Sequence, residues 1–344
     1  MARRFFLACL VAAAAASAVG TPATPRAARL AEVQTQKPQH PAKKRTAKPR
    51  RIRTAAKEAP ASATPNDPLW PASWGEQQLG MPAVWRLGQG SAGVVVAVLD
   101  TGVDPQQPDL AGALVPGWNT ITSSPDTTDT YGHGTAVAGV IAARANNRRG
   151  GSGYCSRCSI MPVKVLDGSG GGSSTTIAAG IDWAVAHGAK VINMSLVLAA
   201  HAPDVSAAVA SAVSQGVVVV ASAGNDGGTG VNYPGADAGA IGVAGTDPSG
   251  ALYPWSNHGS WVTVSAPGCN EAPSLGGGYA DFCGTSSSTA VVSGVVALAL
   301  ADCRCSGSDV TRALTATATA GTPPHLDPAA LIGSVATAAR TNRG

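Results

Sequence analysis

Short apolar runs that alternate with helical stretches constrain the fold of this chain more than any other feature. The runs are VVVAVL (94–99), IMPVKVL (160–166), VINMSL (191–196) and VVVVASA (217–223). Strands that are apolar at nearly every position are typical of a sheet buried on both faces. Helical stretches lie between them at 133–146, 175–188 and 203–216. The alternation predicts an α/β fold, a mostly parallel central sheet with helices on both faces in three layers.

Charge is divided unevenly along the chain. Residues 1–66 carry 13 Lys and Arg against 2 acids, a net charge of +11, whereas residues 67–344 carry 11 against 18, a net charge of −7. The 44% hydrophobic content excludes a wholly disordered protein. An acidic body behind a basic front argues against a nucleic-acid binder.

The first 18 residues have the organisation of a secretory signal peptide. Arg3 and Arg4 precede an apolar run over 5–16, and Ala16-Ser17-Ala18 is a small-residue cleavage signature. The run is too short to cross a bilayer core of about 30 Å. We therefore expect cleavage after Ala18 and a secreted protein without a membrane anchor.

Residues 19–65 form a basic low-complexity stretch rich in Ala, Pro, Thr, Lys and Arg. The stretch has almost no large apolar residues and cannot bury enough surface to fold alone. A removable pro-segment or a solvated linker is the favoured interpretation, and a tether to nucleic acid or another anionic polymer is the alternative. Residues 66–344 have the composition of one globular domain.

Three polar motifs accompany the apolar stretches. Asp100 ends the run in VVVAVLDTGVD, His133 lies between two glycines in YGHGTAVAGVIAA, and Ser286 precedes a long apolar helix in CGTSSSTAVVSGVVALALA. Functional groups of parallel sheets gather just past the carboxyl ends of the strands. Taken singly, the motifs also fit a strand-ending turn, a surface histidine and a helix N-cap.

Taken together, DTGVD, HGT and GTSSSTAVVSG, in this order, resemble the signatures of the subtilisin family of serine proteases. The resemblance extends from Asn66 to about Ser334. INMSL is similar to the family's substrate-binding strand, and ASAGND to the segment with its oxyanion-hole asparagine. The opening NDPLWPASWGEQQLGMPAVW resembles the thermitase branch.

The resemblance implies a catalytic role for four residues. Ser286 is the expected nucleophile, and His133 is the base that takes its proton and later serves as the acid. Asp100 is expected to hold the imidazole tautomer, and Asn225 to donate to the oxyanion together with the Ser286 N–H. The expected activity is that of a serine endopeptidase acting through an acyl-enzyme. We expect polypeptide substrates, no cofactor for the chemistry and a monomer.

The resemblance also implies where substrate binds, and there the chain departs from the family pattern. The expected substrate-binding residues are Ser195, Leu196, Val197, Ala223, Gly224 and Asn232. Val197 stands where a glycine is typical, and Asn232 is expected near the pocket floor. Ser287, Ser288 and Ala290 stand where the family usually has Met, Ala and Pro. These departures leave the preference for the residue before the cleaved bond open.

A structural calcium ion is a further implication of the thermitase-like pattern. Its expected ligands are Asp67, Asp109 and Asn147, because Ca²⁺ prefers several oxygen ligands including carboxylates. The alternative is a plain surface turn, since Arg148 and Arg149 place two positive charges on the same loop.

Six cysteines remain once the signal peptide is removed, and in an exported chain they suggest disulfides. Proximity favours Cys155–Cys158 and Cys269–Cys283. The ring between Cys303 and Cys305 is small, so they pair with each other, pair elsewhere or stay free. Cys155 and Cys158 also form a CxxC motif, but no second pair of Cys or His with matching spacing accompanies it, which argues against a redox or zinc site.

Three functions fit the sequence. The first is an exported endopeptidase of broad specificity, and the second is a processing protease of narrow specificity. The third is a catalytically silent subtilisin-like binding protein held to an anionic wall or polymer by its basic arm. The complete set of Asp100, His133, Ser286 and Asn225 argues against the third.

Overall fold

The computed structural model describes residues 27–30, 64–198, 200–303 and 305–341. The predicted signal peptide and most of the predicted basic segment lie outside these ranges. The strands are β1 (Ala27–Leu30), β2 (Val95–Asp100), β3 (Trp118–Asn119), β4 (Ser159–Lys164), β5 (Gly171–Ser173), β6 (Val191–Met194), β7 (Leu196–Leu198), β8 (Val218–Ser222), β9 (Ala240–Thr246), β10 (Val264–Pro267), β11 (Cys269–Ser274) and β12 (Gly278–Cys283). The helices are α1 (Trp74–Gln78), α2 (Met81–Leu87), α3 (His133–Ala142), α4 (Ser174–Ala186), α5 (Pro203–Ser214), α6 (Thr285–Asp302), α7 (Gly307–Thr317) and α8 (Pro328–Thr341).

Seven parallel strands form the central sheet, in the order β10-β9-β8-β6-β2-β4-β3. The four predicted apolar runs supply β2, β4, β6 and β8. After β2 the chain forms β3 and β4 on one side of it and then crosses to form β6 on the other. Such a reversal opens a crevice at the carboxyl ends of the strands. The predicted α/β class with a mostly parallel sheet is confirmed.

Both faces of the sheet are buried, which accounts for the unbroken apolar strands. In β2, Val96 and Val98 join the core beneath α3 and α6, whereas Ala97 and Leu99 join the core beneath α4 and α5. Strand β8 divides its side chains in the same alternating way. Successive side chains of a strand point to opposite faces, so each run of apolar residues serves two cores at once.

Helix α3 is shorter than the sequence predicts, ending at Ala142 instead of residue 146. The chain leaves the helix at Ala143, whose carbonyl accepts a hydrogen bond from Gly153 N. The backbone N–H groups of Asn146, Asn147 and Arg148 then donate to the Asp67 carboxylate. A helix through these residues would leave that buried carboxylate without its donors, so this distant contact overrides local helix propensity.

Two small sheets accompany the central one. Strands β11 and β12 form an antiparallel hairpin that the disulfide Cys269–Cys283 joins at its open end. Strand β1 lies between β5 and β7 and pairs antiparallel with both. The structure also contains the disulfides Cys155–Cys158 and Cys303–Cys305.

Within the ranges that the structure describes, no helix has both the length and the apolar character that a membrane crossing requires.

Candidate active site

Strand β2 ends in a carboxylate that pairs with a histidine. Asp100 is fully buried, and its Oδ1 and Oδ2 lie 2.8 and 2.9 Å from His133 Nδ1. Thr101 N donates to Asp100 Oδ1 at 2.7 Å. A carboxylate only accepts hydrogen bonds, so Nδ1 carries the ring proton and Nε2 keeps its lone pair. His133 Nε2 is buried and has no hydrogen-bond partner among the described residues.

A second buried carboxylate organises the start of α3. Asp129 Oδ1 accepts hydrogen bonds from Thr101 Oγ1, Tyr131 N and Gly132 N at 2.8–2.9 Å. Its Oδ2 accepts from Thr135 N and Thr135 Oγ1 at 2.9 and 2.7 Å. These five donors tie the loop before the helix, its first turn and the end of β2 together. The sequence analysis missed Asp129, because a lone aspartate four residues before His133 is also typical of an ordinary turn.

The β11–β12 hairpin supports the other side of the imidazole. Phe282 is 6% exposed, and its ring meets the His133 ring edge-on with centroids 5.2 Å apart. Phe282 also lies four residues before Ser286, next to the Cys269–Cys283 bond. The disulfide therefore holds the strand that both contacts the histidine and leads into α6.

Helix α6 begins directly after Gly284, and its first turn contains Ser286. Gly284 has φ +136°, and its N–H donates to Gly268 O at 2.8 Å. Ser286 is buried, and its Oγ donates to Ser195 O at 3.2 Å. In return, Ser195 Oγ donates to Ser286 O at 3.0 Å. The hydroxyl therefore lies beside the positive end of the α6 dipole, where unpaired backbone N–H groups stabilise negative charge.

Thr285 fixes the orientation of the Asn225 side chain. Asn225 Oδ1 accepts from Thr285 N and from Thr285 Oγ1, both at 2.9 Å. Because a backbone N–H can only donate, the atom facing it must be the amide oxygen. Asn225 Nδ2 then lies on the Gly284 side, where a Cβ at position 284 would come within 3.1 Å of it. Glycine at this position keeps the amide donor and the start of α6 close together.

The three consecutive serines have different surroundings. Ser287 Oγ accepts from Asn270 Nδ2 at 2.8 Å, and Ser288 Oγ donates to Pro267 O at 3.2 Å. Both contacts are with the chain segment of β10 and β11. Of the three serines, only Ser286 donates its hydroxyl hydrogen bond to Ser195, the residue immediately before β7.

A neutral network lies behind Ser287. Tyr154 OH donates to Asn270 Oδ1 at 3.2 Å. Burial raises the pKa of Glu76 well above its ordinary value and also raises the pKa of Tyr154. The groups that hydrogen-bond here are an amide, a phenol and a hydroxyl, so this side of the α6 start is held by neutral side chains. The sequence analysis missed Asn270, whose partner Tyr154 is 116 residues away along the chain, and it missed the buried Glu76.

The predicted substrate-binding residues lie at the carboxyl ends of β6 and β8. Ser195 follows β6, while Leu196 and Val197 belong to β7. Ala223 and Gly224 follow β8, and Asn232 Nδ2 donates to Ala223 O at 2.9 Å. The structure thus places the Asn232 side chain beside Ala223 and Gly224.

The three residues predicted to bind calcium also come together. Asn147 Nδ2 donates to Asp109 Oδ1 at 2.5 Å, and Asn147 N donates to Asp67 Oδ1 at 3.0 Å. Burial and the nearby charge of Asp67 raise the pKa of Asp109 to about 6, partly offset by the hydrogen bond from Asn147. Asp109 Oδ2 is buried and has no hydrogen-bond partner among the described residues. The residues that the structure describes contain no group of three or more His, Cys, Asp and Glu side chains that could hold a metal ion.

The fold and the site define a class of protein. Residues 91–331 match the subtilase family, Peptidase S8. The chain belongs to this family and is a serine-type endopeptidase, as the sequence resemblance predicts.

Individual relatives agree with this assignment. Thermitase of Thermoactinomyces vulgaris is 40% identical over 259 residues, which cover 74% of this chain and 91% of that protein. Subtilisin Savinase of Lederbergia lenta is 40% identical over 230 residues, 65% of this chain and 82% of that protein. A solved protease from Pseudoalteromonas arctica PAMC 21717 superimposes with a TM-score of 0.73 at 30% identity, covering 79% of this chain and 99% of its own.

Proposed function

We propose that this protein is an exported serine endopeptidase that uses Asp100, His133 and Ser286 as its catalytic residues and works through an acyl-enzyme. One observation carries the assignment. The buried Asp100–His133 pair leaves Nε2 with a lone pair and without a hydrogen-bond partner among the described residues, at the carboxyl edge of the sheet where Ser286 lies in the first turn of α6. A general base is expected to have this combination of an oriented ring and an unoccupied nitrogen.

In the first step, the Ser286 hydroxyl turns from Ser195 O to His133 Nε2. Nε2 removes the proton while Oγ attacks the carbonyl carbon of the substrate. The imidazolium that forms is stabilised by the two Asp100 oxygens at Nδ1. Because all these groups are buried, the attraction between them is stronger than it would be in water.

The developing oxyanion needs donors that are already in place. Asn225 Nδ2 supplies one, because Thr285 holds the amide with its oxygen turned away. The Ser286 backbone N–H supplies the other from the first turn of α6. Preorganised donors of this kind cost no rearrangement at the moment of reaction. The imidazolium then protonates the leaving amine, and water releases the acyl group by the same steps in reverse.

Replacement of Ser286 tests the assignment. Ser286→Ala should retain the fold and lower kcat by roughly 10⁶, the loss found on removing this group in subtilisin. Ser288→Ala is the matched control, since that hydroxyl faces Pro267 O. A serine-directed phosphonate should label Ser286 alone, and peptide mapping would show the modified residue. Label on Ser287 or Ser288 would refute the choice of nucleophile.

The breadth of specificity separates the two protease functions that the sequence leaves open. Digestion of a peptide library should yield many cleaved sequences if the enzyme is degradative. Cleavage of only a few sequences would identify a processing protease.

A structural calcium ion is part of the same proposal. The unpartnered Asp109 Oδ2 and the neighbouring Asp67 carboxylate supply oxygens for a cation, and the Asn147 amide would have to turn its Oδ1 from Arg149 N to join them. Such an ion would bind the segment around Asp67 to the loop after α3. The ion would supply stability and take no part in the chemistry.

Removal of calcium should therefore lower the unfolding temperature and leave kcat unchanged. A ligand at a hundredfold excess over its Kd stabilises the native state by about 2.7 kcal/mol. Melting curves with and without a chelator measure the effect, and Asp109→Asn should abolish the difference between them. Curves that superimpose for the unmodified protein would refute the site.

A further inference from the structure

A chain of buried hydrogen bonds leads from the middle of α6 back to Ser286. Ser293 Oγ lies 2.9 Å from Asn193 Oδ1, and Asn193 Nδ2 lies 3.0 Å from Ser195 Oγ. Ser195 Oγ in turn lies 3.0 Å from Ser286 O. All four residues have 0% exposure, so bulk water does not compete for these contacts. We call Ser293, Asn193 and Ser195 the α6 relay.

The helix and the strand each bring the α6 relay to the same side of the sheet. Ser286 and Ser293 are seven residues apart, which is two helical turns, so they share one face of α6. Asn193 lies two residues after Val191 in β6 and points to the same side, where Val191 joins the core beneath α6. The relay therefore connects α6 to β6 through the core, two turns behind the nucleophile.

The last acceptor fixes the direction of every bond in the α6 relay. A backbone carbonyl has no proton, so Ser195 Oγ must donate to Ser286 O. The Ser195 hydroxyl has only one proton, so the Asn193 atom that faces it must be the NH₂ group. The other amide atom is then Oδ1, which accepts from Ser293 Oγ. The relay thus has a single direction, from Ser293 to Ser286.

Ser293 keeps the Ser195 proton on the Ser286 carbonyl. Without the Ser293 hydroxyl, Asn193 Oδ1 would be a buried acceptor without this donor, which is costly. The Ser195 hydroxyl is a donor within reach of the same amide, and a turn of the amide by 180° would present Oδ1 to it. The Ser195 proton would then leave Ser286 O.

The bond from Ser195 Oγ matters because it can persist while the nucleophile reacts. Ser286 and Ser195 exchange two hydrogen bonds, each hydroxyl donating to the other residue's carbonyl. In the proposed mechanism, the bond from Ser286 Oγ breaks when that hydroxyl turns to His133 Nε2. Of the two, only the bond from Ser195 Oγ is then left to hold the Ser286 backbone, whose N–H is also a proposed oxyanion donor.

Stability alone does not account for the α6 relay. The core beneath α6 contains apolar side chains such as Val191, Val220 and Val296. Replacement of both partners of a buried hydrogen bond by apolar groups of similar shape is nearly neutral for stability. An apolar pair at positions 193 and 293 would therefore fold about as well, and the polar pair is explained by its action on Ser195.

We propose that Ser293 and Asn193 are positioning residues for the nucleophile, which keep the Ser195 hydroxyl on the Ser286 carbonyl while Ser286 attacks. This inference rests on the proposed function, in which Ser286 is the attacking residue. Both residues act through Ser195, so they affect the rate of attack more than the binding of substrate.

A single substitution tests this role. Ser293→Ala should lower kcat by about five- to tenfold with KM unchanged, since a displacement of about 1 Å can cost on the order of a hundredfold. Ser288→Ala is the matched control, because it also removes a fully buried hydroxyl from α6, but one that donates to Pro267 O. Its kcat should stay at the parent value. Kinetics on a chromogenic tetrapeptide, well below the Tm of each variant, measure both constants.

Two double variants separate positioning from folding. Asn193→Val with Ser293→Ala removes both polar partners at once, so its Tm should return to within a few degrees of the parent value while kcat stays as low as in Ser293→Ala. A merely structural role would restore kcat together with Tm. In a Ser195→Ala background, Ser293→Ala should lower kcat no further, because both substitutions break the same relay.

Three outcomes would overturn the inference. They are equal kcat values for Ser293→Ala and Ser288→Ala, recovery of kcat in the apolar double variant, or losses of Ser293→Ala and Ser195→Ala that multiply. Hydrolysis of the tetrapeptide by the unmodified protein and its absence in Ser286→Ala serve as the reference. If that reference holds, such outcomes overturn this inference alone. If the unmodified protein does not hydrolyse the tetrapeptide, the proposed function itself is wrong.

Discussion

The two helices that begin at the site, α3 and α6, are held in place by opposite kinds of chemistry. The start of α3 is fixed by two buried carboxylates, Asp100 on the imidazole and Asp129 on the loop before it. The start of α6 is fixed by neutral groups, with Asn225 on Thr285 and Asn270 on Ser287. The difference matches the charge that develops at each helix start in the proposed reaction.

In the proposed mechanism, the imidazole of His133 becomes positive and the substrate carbonyl oxygen becomes negative. Carboxylates beside His133 stabilise the first of these charges. A carboxylate beside Ser286 would oppose the second, because charges in a buried site interact strongly. Burial raises the pKa of Glu76, which interacts with Tyr154 of the α6 network, well above its ordinary value. The comparison therefore indicates that the charge of the groups holding each helix start matters as much as how firmly they hold it.

Asn225 gives the largest expected effect after Ser286. Asn225→Ala should lower kcat by roughly 10²–10³ with little change in KM, the figure for one oxyanion donor in subtilisin. A donor aimed at the transition-state oxygen barely contacts the ground state, so the loss belongs to kcat. Steady-state kinetics on a peptide substrate measure both constants.

Asn225→Asp sharpens the same prediction. The carboxylate can still accept from Thr285, but it loses the donor and adds a negative charge beside the oxyanion. Its kcat should therefore be at least as low as that of Asn225→Ala. A loss confined to KM in either variant would show that Asn225 binds substrate instead.

The sequence predicts this site only in part, and the reason is the range of the contacts. Asp100, His133 and Ser286 each belong to a local motif, so the sequence predicts the strand end and the two helix starts at which they lie. Strand β9, by contrast, contains two glycines in AIGVAGT and has a weak strand pattern. Its place beside β8 is decided by pairing that the local sequence does not express.

Strand β1 shows most clearly which structure the local sequence does not predict. The segment AARL has no distinctive pattern in a stretch rich in alanine and proline. It becomes a strand because β5 and β7 supply an edge on each side. Structure that is induced by distant partners in this way leaves no periodic signal in the residues themselves.

Asp129 tests the charged side of the comparison, with an intermediate effect. Asp129→Asn replaces one acceptor oxygen with an NH₂ group, which faces either the two donors of Thr135 or the three donors Thr101 Oγ1, Tyr131 N and Gly132 N. Hydrogen bonds to charged groups contribute about 1.5–3 kcal/mol each, so unfolding should become easier by a similar amount. The loop should then hold His133 less firmly, and kcat should fall by about tenfold.

Asp126→Asn is the matched control for Asp129→Asn. Asp126 is exposed and accepts from Thr128 N in the same loop. Its replacement should change kcat and the unfolding temperature little. If both variants behave alike, the carboxylate at position 129 has no special role at the start of α3.

Asn270 tests the neutral side and gives the smallest expected effect. Its side chain donates to Ser287 Oγ and accepts from Tyr154 OH, so it connects β11 to the residue after the nucleophile. Asn270→Ala and Ser287→Ala should each lower kcat by about two- to fivefold at constant KM, because a small shift of α6 weakens the attack geometry. The kcat of the double variant should fall no further than that of one single variant, since residues joined by one hydrogen bond are coupled.

Asn270→Asp places a charge at the same position and should lower kcat more than Asn270→Ala, if neutrality at the α6 start is the property that matters. Losses that simply add, or an Asn270→Asp variant as active as the parent, would contradict the comparison on its neutral side.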